Sequence, residues 1–209
     1  YRRQRQMCIR DRDHVHLDVN KGEVLGLVGE NGAGKSTLMK ILSGVYHADE
    51  GEIFIEGQRV KIDSVAKAHE LGISIIMQEL NMCGHLSVAD NIFIGRAHKK
   101  GIFIDDAKMH QEAQKILDDL GIDLDTHTRV GDLSVAKQQM VEIAKAISFH
   151  SKILVLDEPT ATLTEREIDQ LFEIIRRLQD KGVGMVYISH RMAELERICD
   201  CLLYTSPSP

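Results

Sequence analysis

Residues 23–36 read EVLGLVGENGAGKS, and no other stretch constrains the chain as much. Glu23 to Gly29 is an apolar run of strand length that feeds a glycine-rich turn. The helical pattern KSTLMKILSG follows and stops at Gly44, as helices often do. From Gly29 to Ser36 the turn satisfies the spacing G-x-x-x-x-G-K-S. Glycine lets a backbone approach a ligand closely, and a helix N-terminus leaves amides unpaired. The amides of Gly29, Asn31, Gly32, Ala33, Gly34, Lys35, Ser36 and Thr37 can therefore wrap a row of phosphates. Lys35 can reach the β and γ oxygens of a nucleotide such as ATP, and the Ser36 hydroxyl can ligate Mg²⁺. A bare tight turn would need neither the lysine nor the hydroxyl.

The rest of the chain reads as an α/β protein. Short apolar runs alternate with helical patterns, which predicts a mainly parallel sheet. GEIFIEGQRV alternates about Glu56-Gly57 and predicts an antiparallel β-hairpin outside that sheet. ISIIMQ is a further strand. From about Leu86 to Ser148 the pattern is mostly helical, with Ala107 to Leu120 amphipathic, so a helical subdomain over about 84–149 interrupts the core. Strands return in ILVLDEP (153–159) and GMVYISH (184–190). Between them a helix over 164–181 is predicted, with Ile168, Leu171, Ile174, Ile175 and Leu178 as its apolar face.

Polar residues at the ends of apolar strands come next, because open α/β sheets bind ligands at the carboxyl ends of their strands. Asp157 would hold the Mg²⁺ shell and Glu158 would polarise an attacking water; by itself such a pair could equally cap a helix. Gln78, ending ISIIMQ, could bridge metal and water, and His190, ending GMVYISH, could hydrogen-bond a γ-phosphate; either could also be structural. LSVAKQQ opens a long helical pattern. Ser134 is a good cap there, and the amides behind it make a seat for an anion. His14 and His16 would share one face of a strand without a third ligand. His47, His69, His85, His98, His110, His127 and His150 read as scattered surface residues, and Lys99-Lys100 as a short solvated turn.

The two ends of the chain are related in an unusual way. Met7 to Asp11, MCIRD, can be encoded ATG TGT ATA AGA GAC. The reverse complement, read from its third base, spells Leu-Leu-Tyr-Thr, the sequence of Leu202 to Thr205. The pair resembles a sequencing adapter translated in both orientations. Residues 1–12 and 201–209 are therefore expected to be adapter read-through, with 13–200 as the native, truncated domain. Setting aside the five arginines and one aspartate of the first segment moves the net charge from −6 to −10. That speaks against nucleic acid as a bulk electrostatic partner. Cys83 and Cys199 remain, with no metal or disulfide spacing, as expected of a reduced cytosolic compartment. No apolar run approaches the roughly 20 residues of a membrane span.

The order of these features is a P-loop, a strand-end glutamine, a helical stretch with LSxxxQQ, D-E-P, and then histidine. It resembles the nucleotide-binding domain of ATP-binding cassette (ABC) transporters over the whole native stretch. NMCGHLSVADNIFIGR, VGDLSVAKQQMVEIAKAIS and DEPTATLTEREIDQLFEIIRRL look more narrowly like the first half of the double-domain ATPases that power import of ribose, galactose or xylose. The resemblance implies a P-loop NTPase (ABC ATPase) core, ATP and Mg²⁺ as ligands, and ATP hydrolysis coupled to monosaccharide import. It implies catalytic roles for Glu158, His190 (the switch histidine) and Gln78 (the Q-loop), and metal contacts from Ser36, Gln78 and Asp157. Ala161 to Thr164 would be the D-loop, with Thr164 where many members have aspartate. Leu133, Ser134, Val135, Ala136, Lys137 and Gln138 would form the signature that faces a partner half's ATP, with Ala136 and Lys137 departing from the usual glycine and glutamine.

As partners the resemblance implies a second nucleotide-binding half, transmembrane permease subunits and, indirectly, a periplasmic-type sugar-binding protein, with no nucleic acid, at the cytoplasmic face of the membrane. The family's adenine-stacking aromatic is expected to be missing. So are the strands after Asp200, which would leave sheet edges unpaired. A soluble ABC ATPase acting on ribosomes or DNA is the alternative; a P-loop kinase would need neither LSxxxQQ nor the switch histidine.

Overall fold

Runs such as VLGLVG, ILVLD and GMVYI have no polar face, so a sheet built from them must be covered on both sides. The computed structural model describes residues 5–10, 16–29, 35–47, 50–77, 80–100 and 103–205, and shows that arrangement. In chain order the strands are β1 (Arg5–Arg10), β2 (His16–Asn20), β3 (Val24–Gly29), β4 (Glu52–Ile55), β5 (Gln58–Val60), β6 (Ile73–Ile76), β7 (Lys99–Lys100), β8 (Phe103–Ile104), β9 (Ile153–Asp157), β10 (Gly184–Ile188) and β11 (Cys201–Thr205). The helices are α1 (Lys35–Leu42), α2 (Val65–Glu70), α3 (Val88–Ile92), α4 (Asp106–Leu120), α5 (Val135–Ile147), α6 (Glu165–Asp180) and α7 (Met192–Ile198). They fall into two units: Tyr1–Met77 with Ser151–Pro159 and Arg176–Pro209, and Gln78–His150 with Thr160–Ile175.

The first unit holds a five-stranded parallel sheet in the order β11-β3-β10-β9-β6 and a four-stranded antiparallel sheet in the order β2-β1-β4-β5. Leu25 and Leu27 of β3, Val155 of β9 and Val186 and Ile188 of β10 share one buried cluster with Met39 and Leu42 of α1. Leu17 and Val19 of β2 and Ile53 and Ile55 of β4 belong to the same cluster. On the opposite face of the sheet, a Cβ added at Gly26 would strike Leu195 and Cys199 of the α7 segment and Leu202 of β11. The hairpin is where it was expected: Glu56 and Gly57 both have positive φ, as a two-residue turn between right-twisted strands requires.

Unpaired sheet edges were expected at the two termini, and here the structure differs. β1 pairs antiparallel with both β2 and β4, and β11 pairs parallel with β3. Ladder bonds need only backbone donors and acceptors, whatever the origin of the segment. Leu203 also packs against the core, and Leu202 lies over Gly26.

Gly44 ends α1 at φ +72°, and a Cβ there would strike the Ser64 carbonyl. Gly44→Ala therefore combines a left-handed backbone penalty of about 1–2 kcal/mol with a backbone clash. We expect its urea midpoint to fall at unchanged slope; a loss below about 0.5 kcal/mol would show that the α2 entry simply moves aside.

In the second unit α3 starts with a reciprocal capping box between Ser87 and Asp90. Asn91, buried, accepts from the Cys83 amide at 2.8 Å and donates to the Ser87 carbonyl at 2.9 Å, holding the loop before α3. α4 is amphipathic as expected, burying Met109, Ala113, Leu117 and Leu120. The solvated turn expected at Lys99-Lys100 is instead strand β7, paired with β8, because two ladder positions suffice to close a ribbon. α6 buries all five predicted apolar positions, and Phe172 as well. Among the described residues no helix is long and apolar enough to cross a membrane.

Candidate functional site

Polar side chains are costly along strands buried on both faces, so they gather where the strands stop. β3 ends at Gly29, β9 at Asp157 and β10 at Ile188, and β10 lies between the other two. Lys35 begins α1, and its ammonium donates to the Gly29 carbonyl, joining the two ends of the GENGAGKS turn. Asp157 is half-buried. Its pKa lies above the ordinary carboxylate value because burial strips its water and because Glu158 carries a like charge beside it; Lys35 pulls in the opposite direction.

Glu158 has φ 47°, the left-handed region that costs a residue with a Cβ about 1–2 kcal/mol. Its amide donates to the Ile188 carbonyl at 2.9 Å, extending the β9–β10 ladder, and its Oε1 lies 3.1 Å from His190 Nδ1. The strained backbone thus aims a carboxylate at an imidazole whose side chain is 69% exposed. Such strain persists where surrounding structure over-determines it, and it clusters at functional sites. Among the described residues of the site, two carboxylates stand against one lysine, so the donor set fits a hard divalent cation.

The structure thus brings Gly29, Lys35, Asp157, Glu158 and His190 together at one end of the parallel sheet. Ser36 lies in α1, where its side chain is outside the description, and Thr37 is exposed. Asn31, Gly32, Ala33, Gly34 and Gln78 lie outside the described residues.

In the second unit Ser134 caps α5, its Oγ accepting the Lys137 amide, while the Gln138 side chain donates to the Leu133 carbonyl at 3.0 Å. Ala136, which stands where the family usually has glycine, is buried on the same side of the helix as Met140 and Ile143, while Val135 is exposed. The side chain of Val135 faces outward there, because the phase of the helix turns Ala136 inward.

Comparison with known proteins agrees with this geometry. A family model described as ABC transporter matches residues 12–161. The chain belongs to the ABC transporter family. A ribose/galactose/methyl galactoside import ATP-binding protein of Albidiferax ferrireducens is 55% identical over 190 residues, 90% of this chain and 38% of the relative. The galactose/methyl galactoside import ATP-binding protein MglA of Clostridium perfringens is 52% identical over 188 residues, 90% of this chain and 36% of the relative. The chain thus spans less than two fifths of the length of these relatives. Among solved structures, the ADP conformation of MJ1267, an ATP-binding cassette of an ABC transporter, matches with a TM-score of 0.83 at 26% identity, covering 96% of this chain and 87% of that one. A nucleotide-free ATP-binding cassette from an ABC transporter matches with a TM-score of 0.84 at 25% identity, covering 97% and 88%. The fold is that of the ABC ATPases.

Not all the histidines of this ABC domain are scattered on its surface as expected. His110 and His127 stack with ring centroids 3.7 Å apart, and His110 Nδ1 lies 2.9 Å from Thr126 Oγ1. His98 Nε2 lies 2.8 Å from Glu112. Among the described residues no group of three or more His, Cys, Asp or Glu side chains could hold a metal. His14 lies outside the described residues, as does the side chain of His16.

Sequence reading missed Glu142 on α5. It is buried, accepts the Asn81 amide at 3.4 Å through Oε1, and among the described residues Oε2 has no hydrogen-bond partner. Burial raises its pKa, against the opposing Asn81 amide and Lys145 charge. A raised folded-state pKa means that the folded domain holds this proton more tightly than the unfolded chain. Glu142 therefore subtracts stability as pH rises from the ordinary glutamate range through its folded pKa. Glu142→Gln is expected to be more stable than the parent at pH 8 and to converge on it in acid, where Glu142 is protonated. Urea unfolding at pH 8 and at a pH below the ordinary glutamate range checks this; a variant less stable at pH 8 would contradict it.

Proposed function

We propose that this chain is an ATP-binding and ATP-hydrolysing domain that energises import of a monosaccharide. The observation that carries the reading is the convergence of Lys35, Asp157, Glu158 and His190 at the carboxyl ends of three parallel strands, in a domain whose relatives are named as sugar-import ATP-binding proteins. The amides of Gly29 and of Asn31 to Thr37 cradle the phosphates, and Lys35 neutralises the β and γ oxygens. Glu158 takes the proton of the attacking water, and His190, held 3.1 Å from it, hydrogen-bonds the γ-phosphate. Mg²⁺, when bound, offsets the charge of the β and γ oxygens; Ser36, Gln78 and Asp157 are the residues that would hold it.

The signature segment, Leu133 to Gln138, faces the ATP of a second nucleotide-binding half, with Ser134, Val135 and Lys137 as its exposed residues. Closure of the two halves moves transmembrane permease subunits at the cytoplasmic face of the membrane, a periplasmic-type binding protein delivers the sugar, and hydrolysis resets the cycle. The ribosome- or DNA-directed alternative has no such support, since the relatives cited above are named for import. The test is to reconstitute the full-length gene product with its neighbouring permease and binding protein in vesicles. ATP-dependent accumulation of ribose, galactose or xylose is expected. ATPase activity stimulated by ribosomes or DNA and indifferent to permease and sugar would overturn the reading.

We also infer that residues 1–12 and 201–209 are adapter read-through. The complementarity of MCIRD and LLYT supports this, and nucleotide codons that break it at both ends would refute it.

A further inference from the structure

His190 sits in the three-residue connection Ser189–Arg191 between β10 and α7, with its imidazole mostly in solvent. Packing therefore does little to set its direction; the Glu158 carboxylate 3.1 Å away and the backbone on either side do. A buried carboxylate ties together the side chains of the residues on either side. Glu194, in the first turn of α7, is 5% exposed. Its Oε2 accepts the Tyr187 hydroxyl at 3.1 Å and the Ser189 hydroxyl at 3.3 Å, and its Oε1 accepts Arg191 Nη1 at 2.9 Å. Ser189 Oγ in turn accepts the Arg191 amide at 3.1 Å, and the Arg191 carbonyl accepts the Glu194 amide at 3.1 Å. Tyr187 is fully buried in β10, so the carboxylate anchors the connection to the centre of the sheet.

We propose that Glu194 is a positioning residue for His190, fixing the connection so that the imidazole meets Glu158. The argument rests on the reading above, in which His190 serves ATP hydrolysis. Three donors converge on the two oxygens, so an acceptor-only group is required. An amide at this position would turn its NH₂ toward at least one donor, and alanine would remove the carboxylate from all three donors. Glu194 itself touches no phosphate in this account; it acts through the residues flanking His190.

The test is a double-variant cycle on the full-length ATPase, read as kcat, KM for ATP and thermal midpoint. Glu194→Gln is expected to lower kcat by about 10- to 100-fold, the scale of a small misplacement of a catalytic group, with KM within about twofold of the parent. In a His190→Ala background the same substitution is expected to cost less than about twofold, since the group it positions is gone. Ser189→Ala, which removes one of the three donors and disturbs the fold least, should show a smaller kcat loss with the same dependence on His190. Losses that multiply fully across the two backgrounds, or a raised KM at unchanged kcat, would overturn the proposal while leaving the ATPase reading intact. A parent enzyme that does not hydrolyse ATP, or a His190→Ala variant with parental kcat, would remove the role of His190 and the proposal with it.

Discussion

Glu158→Gln is expected to leave ATP bound and to slow turnover by about 10²–10⁴, the range for loss of a general base. That corresponds to about 2.7–5.4 kcal/mol of barrier. The amide keeps the size of the side chain but cannot take the water's proton. Glutamine pays the same left-handed backbone cost at φ 47° as glutamate, so the fold gains no relief from the change. Removing the like charge beside Asp157 also takes away one of the causes that raise the Asp157 pKa, so metal–nucleotide binding should not weaken. Equilibrium ATP binding and phosphate release, measured on the same full-length preparation, separate the two effects. Turnover near the parent's would remove Glu158 from the catalytic step.

Lys35→Ala is expected to act on binding. A hydrogen bond to a charged group contributes about 1.5–3 kcal/mol. Its loss should raise the dissociation constant for ATP about 10- to 150-fold. The substitution also deletes the charge that restrains the Asp157 pKa, so a half-buried carboxylate pair is left with less to offset it. Titration with ATP–Mg²⁺ by calorimetry measures this, and an unchanged dissociation constant would show that the backbone cradle alone holds the phosphates.

The sequence was most informative where physics leaves few choices. Strands buried on both faces exclude polar residues until they end, so Asp157, Glu158 and His190 stood out against ILVL and GMVYI, and the structure places them together. Sequence reading missed the inward turn of Ala136, although Ala136, Met140 and Ile143 repeat at helical spacing while Val135 falls off that stripe. Other features had no local signal. A positive φ at Glu158 is imposed by the β9–β10 ladder and not by its own side chain. Glu142 and Glu194 look like ordinary surface glutamates in sequence, since burial of a carboxylate depends on partners distant along the chain or across a turn. The stacked His110 and His127 approach one another only through the path of the loop after α4.

The strand order has a bearing on how the domain comes into being. Val24 of β3 pairs with Met185 of β10, and β10 also separates β3 from β9. No continuous piece of chain shorter than residues 29–190 contains Gly29, Asp157, Glu158 and His190 together. Closing so long a loop is entropically slow, and contacts of this kind form late. A nucleotide that needs the whole constellation therefore cannot guide the earlier steps of folding; it adds its binding energy only once β10 has been inserted, and then to the domain as a whole.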